Sequence, residues 1–477
     1  MATPTTQAQP PLSFIPPTFD PLVFRVVRSL MPFYRRWSAH LSQIDVENVE
    51  SLVEHYHQFQ AGKTRFLLAF RHPSTNDPLC IAHLLWDAVP SVARQKGISL
   101  NVAHTHAHFI YDRGIPLWAG QAVGWLYSRL GGIPIRRGKV DLMALRSIRD
   151  RFAKGDLPMA AAPEGATNGH NELVSPIEPG IAQFGFWCIE DLLKEGQSQQ
   201  VLIIPIGIQY HYITAPWAKI NQLLYQLELE SGLATPVGSP GTLQELQDGA
   251  TLTSEQESIL YQRLYRLSEH LLTLMEEFYR KFYHQPIPAK STESADLPTS
   301  TQSANEPLAV RLQTLLNRAL TVAEQFFALT PKGTLTDRCR RLEQAGWDWI
   351  YREDFKQIEL LPLVNRGLGD RIAEETNLRL WHMRLVETFV SVTGHYVREK
   401  PTVDRFAETL LLLWETIARI TNKPSFPRPQ LGKQRVRMTI GEPLDISARW
   451  DTYQANRRQA VTTLTQDLQN ALESMIQ

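Results

Sequence analysis

His72 and Asp77 stand five positions apart in Arg71-His72-Pro73-Ser74-Thr75-Asn76-Asp77-Pro78. An imidazole that titrates near neutrality can take a proton from a hydroxyl, and a carboxylate across a tight turn can hold the ring in the productive tautomer. The same spacing suits a capping aspartate beside a hydrogen-bonded histidine, so the pair alone leaves both readings open. Arg65-Phe66-Leu67-Leu68-Ala69-Phe70, just before it, reads as a buried strand, and the apolar segment after it has helical spacing. A base and its orienter are therefore expected at a strand-to-helix corner.

Three other stretches carry residues suited to chemistry. Gly131-Gly132-Ile133-Pro134-Ile135-Arg136-Arg137-Gly138-Lys139 gathers three cations behind a short apolar run with glycines on both sides. Guanidinium forks match phosphate oxygens and glycine admits a ligand close to the backbone, so this is a candidate phosphate anchor; a solvated charged turn is the plainer reading. Pro158 to Ala162 makes a short strand that runs into Pro163-Glu164-Gly165, where Glu164 either bonds substrate hydroxyls or caps the turn. The segment Ile98 to Ile110 reads as a strand carrying His104, His106 and His108 on one face. Residues two apart in a strand lie roughly 6 to 7 Å from each other, which suits metal ligands poorly. A polar face near a site, or a set of hydrogen-bonded imidazoles, is expected there instead of a metal.

The elements that must position these residues follow from patterning. Asp20 to Trp37 places Leu22, Val23, Val26, Val27, Leu30 and Met31 at helical spacing among Arg25, Arg28, Arg35 and Arg36, with Phe33, Tyr34 and Trp37 at its end. Such a helix either packs on a core or lies in a bilayer interface with its cations on anionic head groups. A second helix is expected from Asp45 to Phe59, others over Leu79 to Val89 and Asp141 to Lys154, and a further apolar strand over Val201 to Ile208.

The 477 residues allow several domains. Lys plus Arg equals Asp plus Glu, 49 against 49, so there is no overall basic field to gather nucleic acid. Cys80, Cys188 and Cys339 are dispersed and odd in number, which argues against a disulfide framework and for a reducing compartment. No run reaches the roughly 18 apolar residues of a spanning helix. Met1 to Pro17, rich in Pro, Thr and Gln, lacks signal-peptide features and reads as a disordered tail.

Taken in order, four stretches resemble the blocks of the glycerolipid acyltransferase family, whose best-known members are the 1-acylglycerol-3-phosphate acyltransferases. Those blocks are HxxxxD, GxxFIxR, FPEGTRS and an apolar strand with VPV-like residues; here they are His72 to Asp77, Gly131 to Arg137, Ala162 to Asn168 and Ile203 to Ile206. The resemblance implies that His72 is the general base and Asp77 its orienter, and that Arg137, with Gly131 opening its block and Arg136 beside it, binds acceptor phosphate. By the same pattern Glu164 and Gly165 make further acceptor contacts and Pro205 is structural. It implies no bound cofactor, acyl-ACP or acyl-CoA as donor, and a membrane lipid acceptor met at the cytoplasmic membrane surface by a peripheral protein. The third block departs from the family: Ala166-Thr167-Asn168 lacks the arginine. Lysophosphatidate is the favoured acceptor, another lysolipid or a non-phosphorylated alcohol the alternative, and a noncatalytic lipid-binding scaffold the rival of both.

A strand ending in Gly441-Glu442-Pro443 matches the family's closing signature far beyond the fourth block. The expected architecture is α/β, a mixed sheet flanked by helices, with a large mostly helical insertion. The expected organisation is a tail over 1–19, a first acyltransferase part over 20–215, an insertion over 216–429 with a linker near 285–307, and a closing strand and helix over 430–477.

Overall fold

The structure, a computed structural model, describes residues 7–37, 41–136, 140–233, 246–288, 301–389 and 395–477. The chain folds as two compact units: Leu12–Ile213 with Lys433–Gln477, and Thr214–Gly432 with Met1–Pro11.

The first unit is built on strands buried on both faces. Its sequence elements are α1 (Pro21–Trp37), β1 (Leu41–Glu47), α2 (Val49–Gln60), β2 (Thr64–Phe70), α3 (Asp77–His83), α4 (Val89–Gln95), β3 (His108–Asp112), α5 (Ile115–Ala119), α6 (Gln121–Arg129), β4 (Ile133–Ile135), α7 (Leu142–Lys154), β5 (Met159–Ala161), α8 (Gly180–Lys194), β6 (Gln200–Tyr212), β7 (Gln434–Ile440) and β8 (Leu444–Asp445). Along β2, Phe66, Leu68 and Phe70 join one apolar cluster while Leu67 and Ala69 join the other, because successive strand residues point to opposite faces. β6 divides in the same way, with Leu202, Ile204, Ile206, Ile208 and Tyr210 on the first side and Val201 and Ile203 on the second. Helices α2, α3 and α4 cover the first face; α7, α8 and the closing helix Arg457–Ser474 cover the second.

The sheet order is β1-β7-β6-β2-β5-β3-β4, with β8 also on β6. β6, β2, β5, β3 and β4 run parallel, β7 is antiparallel to β6, and β1 lies parallel to β7, so the sheet is mixed. Pro205 sits inside β6, where proline normally breaks a ladder. Its nitrogen faces the gap between β7 and β8, so no ladder bond is lost there, and its carbonyl accepts from Gly441 N–H at 2.9 Å. The excursion that separates β6 from β7 starts and ends at neighbours: Ile213 N–H donates to the Lys433 carbonyl at 3.1 Å. The β6–β7 hairpin register is therefore unaffected by what is inserted.

Four expectations are corrected. The segment from Asp45 is strand up to Glu47, because β1 pairs with β7, and helix only from Val49. Ile98 to Ile110 is not one strand: Val102–His104 is a 3-10 turn and pairing begins at His108, so the three histidines do not share a sheet face. The start of the chain is not free from residue 7 onward. Ala8 is fully buried, its N–H bonded to Asp370 at 2.9 Å, and in the other unit Ser128 Oγ donates to the Pro16 carbonyl at 2.6 Å. Finally, Thr301 to Pro307, read as linker, opens the helix Thr301–Phe326, and Ile287 is buried; residues 289–300 lie outside the described residues.

The second unit is helical, with Trp217–Glu230, Ser254–Phe282, Thr301–Phe326, Leu335–Ile350, Leu363–Phe389 and Val403–Ile420 as its long elements. Buried ion pairs brace it. Arg263 grips Glu228 through two nitrogens at 3.0 and 2.7 Å, and Arg338 grips Glu324 at 2.8 and 2.7 Å. Leu410, Leu412 and Leu413 are core residues.

Candidate active site

β2 stops at Phe70 and the chain turns out of the sheet through Arg71 and His72 into α3. Asp77 opens that helix in its first turn, where a carboxylate is favoured by the free N–H groups. The turn brings the pair together: His72 Nδ1 lies 2.8 Å from Asp77 Oδ2, which also accepts from Ser74 N–H at 3.0 Å. Asp77 is completely buried while the His72 side chain is 22% exposed, so the ring is partly open to solvent and its orienter is sealed. With Nδ1–H committed to the carboxylate, Nε2 carries the lone pair.

The other oxygen of Asp77 meets a residue the sequence reading overlooked. Tyr210, on β6, places its hydroxyl 2.6 Å from Asp77 Oδ1, and Cys80 Sγ lies 3.3 Å from the same hydroxyl. Burial, and then the Asp77 charge, pushes both the Tyr210 phenol and the Cys80 thiol well above their ordinary ranges. Both groups therefore keep their protons.

Glu164 is brought to His72, but in a different capacity from the expected acceptor contact. It is buried; Oε1 accepts from the His72 backbone N–H at 2.8 Å, and Oε2 accepts from Asn168 Nδ2 at 2.8 Å and Ser175 N–H at 2.9 Å. The buried Arg71 Nε faces Oε1 at 3.7 Å, and its terminal nitrogens donate to the carbonyls of His170, Asn171 and Leu173. The carboxylate is thus spent on holding His72 and the 163–178 loop. Gly165 adopts φ +75°, the left-handed turn conformation that glycine tolerates, and Thr167, at the position of the family's third-block arginine, is exposed.

Gly131 likewise serves the backbone. It adopts φ +80°, and a Cβ there would meet His108 Nδ1 at 2.8 Å. That same nitrogen donates to the Gly131 carbonyl at 2.9 Å, and His106 Nε2 donates to the Leu130 carbonyl at 2.8 Å while its Nδ1 accepts from Trp86. The two imidazoles pin the turn before β4. Burial lowers both, His106 to about 4. Among the described residues no group of three or more His, Cys, Asp or Glu side chains could hold a metal.

Strand register relates these pieces. Leu67 pairs with Met159, Met159 with His108, and Ile110 with Ile133. His72, Glu164, Arg113 and Arg136 each follow the end of one of these four parallel strands, so all four lie at the carboxyl edge of the sheet, where open α/β sheets bind ligands. His72 follows β2 and Arg136 follows β4, three places along the sheet order. Arg113, also missed in the sequence, is buried and paired with Asp141, which accepts from Arg136 N–H at 3.1 Å. The half-buried Arg136 side chain donates to the Leu12 carbonyl at 3.4 Å. Arg137 lies outside the described residues. A charged residue just past an apolar strand was the available signal for Arg71 and Arg113; nothing local marked Tyr210.

Against known proteins, residues 43–209 match the family model described as Acyltransferase. This stretch of the chain is a domain of the glycerolipid acyltransferase family, with acyl transfer as its general activity. No curated protein and no solved structure matches the chain.

Proposed function

We propose that the protein moves a fatty acyl group from acyl-CoA or acyl-ACP to a glycerolipid hydroxyl, with 1-acylglycerol-3-phosphate as acceptor and phosphatidate as product. His72 Nε2 takes the hydroxyl proton as the oxygen attacks the thioester carbonyl carbon. The carbon–sulfur bond then breaks and the departing thiolate receives that proton from Nε2, so atoms and charge balance without an acyl-enzyme. Asp77 keeps Nδ1 protonated and the ring oriented throughout. The observation that carries the reading is the partly exposed His72 imidazole held at 2.8 Å by the buried Asp77, at the same sheet edge as the Arg136 cation.

The reaction is proposed to run on a membrane surface. Phe24, Val27 and Met31 turn α1 inward, and Arg28 bonds the Trp86 carbonyl, which lacks its usual helical donor because the fourth residue on is Pro90. Leu22, Val26, Leu30, Phe33 and Tyr34 consequently face outward, each more than half exposed, as an apolar row suited to an acyl boundary. No helix among the described residues is long and apolar enough to cross a membrane.

A second acceptor class, non-phosphorylated alcohols, is favoured by the exposed Thr167 where the family has arginine. The test is an assay of the purified full chain with acyl-CoA and acyl-ACP against lysophosphatidate, monoacylglycerol, diacylglycerol and other lysolipids. Phosphatidate formation that disappears in His72→Ala supports the proposal. Transfer only to the uncharged alcohols selects the second acceptor class, and full turnover in His72→Ala overturns the general base.

A further inference from the structure

Tyr210 lies on β6 past the point where β2 ends, on the same sheet face as Cys80 and Phe70. Where β2 no longer pairs with it, Asn171 takes the place of a strand: its Nδ2 donates to the Tyr210 carbonyl at 2.6 Å and its Oδ1 accepts from Tyr210 N–H at 2.8 Å. The ring is 3% exposed and its hydroxyl meets a carboxylate 133 positions earlier in the chain. We propose that Tyr210 is a positioning residue of the acyl-transfer site, its hydroxyl locking the Asp77 carboxylate so that Oδ2 stays aimed at His72 Nδ1. This rests on the acyltransferase reading of the site.

The argument is one of donors and rotation. A carboxylate turns about its Cβ–Cγ bond unless both oxygens are held, and a buried oxygen without a donor is costly. Oδ2 has two donors, His72 Nδ1–H and Ser74 N–H; for Oδ1 the hydroxyl of Tyr210 supplies one, at a length typical of a charge-assisted O–H···O bond. The phenol has a single proton. Sulfur is a weak acceptor and the carboxylate a strong one, so that proton goes to Asp77 and the Cys80 thiol donates to the phenol oxygen. Cys80 and Tyr210 then donate in sequence towards Oδ1 while His72 Nδ1–H donates to Oδ2, so the donors converge on Asp77 and its bond to Nδ1–H selects the imidazole tautomer needed for proton abstraction.

Tyr210→Phe removes only the hydroxyl. With folding checked by thermal unfolding, the far-downfield Nδ1–H proton resonance of His72, identified by its loss in His72→Ala, is expected to shift or broaden. kcat is expected to fall about tenfold with acceptor KM within about twofold, the acid limb of the kcat pH profile to move, and the Tyr210→Phe/His72→Ala double variant to be no slower than His72→Ala. A folded Tyr210→Phe with the parental resonance and pH profile overturns the inference, as does a loss that adds to that of His72→Ala. If the parent transfers no acyl group to any acceptor, the proposed function fails and the resonance alone decides Tyr210. If Tyr210→Phe does not fold, 3-fluorotyrosine at position 210, a stronger donor of nearly the same shape, must move the resonance; an unmoved signal refutes the role.

Discussion

The backbone N–H of His72 donates to Glu164 Oε1 at 2.8 Å, so two residues from different sequence blocks are joined through the main chain of one and the carboxylate of the other. A side chain so used cannot be exchanged freely. Glu164→Ala leaves Arg71 buried with no counter-charge and is expected to lower stability by about 3 kcal/mol or more, read as a fall in the thermal unfolding midpoint. Glu164→Gln retains an acceptor for His72 N–H and is expected to fold, with kcat reduced and acceptor KM nearly unchanged. A large KM effect with unchanged kcat would instead mark Glu164 as an acceptor ligand.

Arg136 lies at the same sheet edge as His72 but carries no acidic partner on its guanidinium among the described residues. Arg136→Ala is expected to raise KM for lysophosphatidate about tenfold, the value of one charge-assisted contact, while leaving kcat and any turnover of uncharged acceptors near parental values. Steady-state kinetics on paired acceptors decides this.

The outward row of α1 predicts membrane attachment through apolar burial. Leu30→Glu with Phe33→Glu is expected to reduce flotation with vesicles containing phosphatidylglycerol, without changing the unfolding midpoint, since both side chains are already in water. Equal flotation of parent and variant would exclude this helix as the contact.

His106 makes the acyltransferase domain sensitive to acid. Its ordinary value of 6.5 is lowered by burial to about 4, so between those limits the unfolded chain binds a proton that the folded chain does not. Stability is therefore constant with respect to this group above pH 6.5 and falls as pH drops from 6.5 towards 4, by on the order of 3 kcal/mol in all. His382, in the helical unit, acts in the same direction with its lower limit near 3. Urea unfolding at about pH 7.5 and about pH 4.5 should show the loss, and His106→Gln, which keeps a donor without titrating, should show less of it.

Local patterning made much of the first unit legible. Buried strands at Arg65 to Phe70 and Val201 to Ile208, and the helix Asp141 to Lys154, are visible because two-sided apolar runs and helical spacing follow from side-chain direction alone. The misreadings have the opposite cause. β1 carries Gln43 and Asp45 and looks helical until β7, almost four hundred positions later in the chain, supplies its hydrogen bonds. Residues 7–19 have the composition of a free tail, yet their carbonyls and rings meet partners at Ser128, Arg113 and Tyr351.

The same division holds at the site. Sequence patterning alone put His72 and Asp77 at one strand-to-helix corner, because a buried apolar run ends just before them and helical spacing starts just after, and it put glycines and cations together near Arg136. Only the fold in three dimensions shows that Glu164 holds the His72 backbone, that Arg113 and Arg136 lie at the same sheet edge as His72, and that the Tyr210 hydroxyl bonds the Asp77 carboxylate. These are relations across parallel strands and crossover connections, where spatial neighbours are set by sheet order and register, and sequence spacing carries no trace of them.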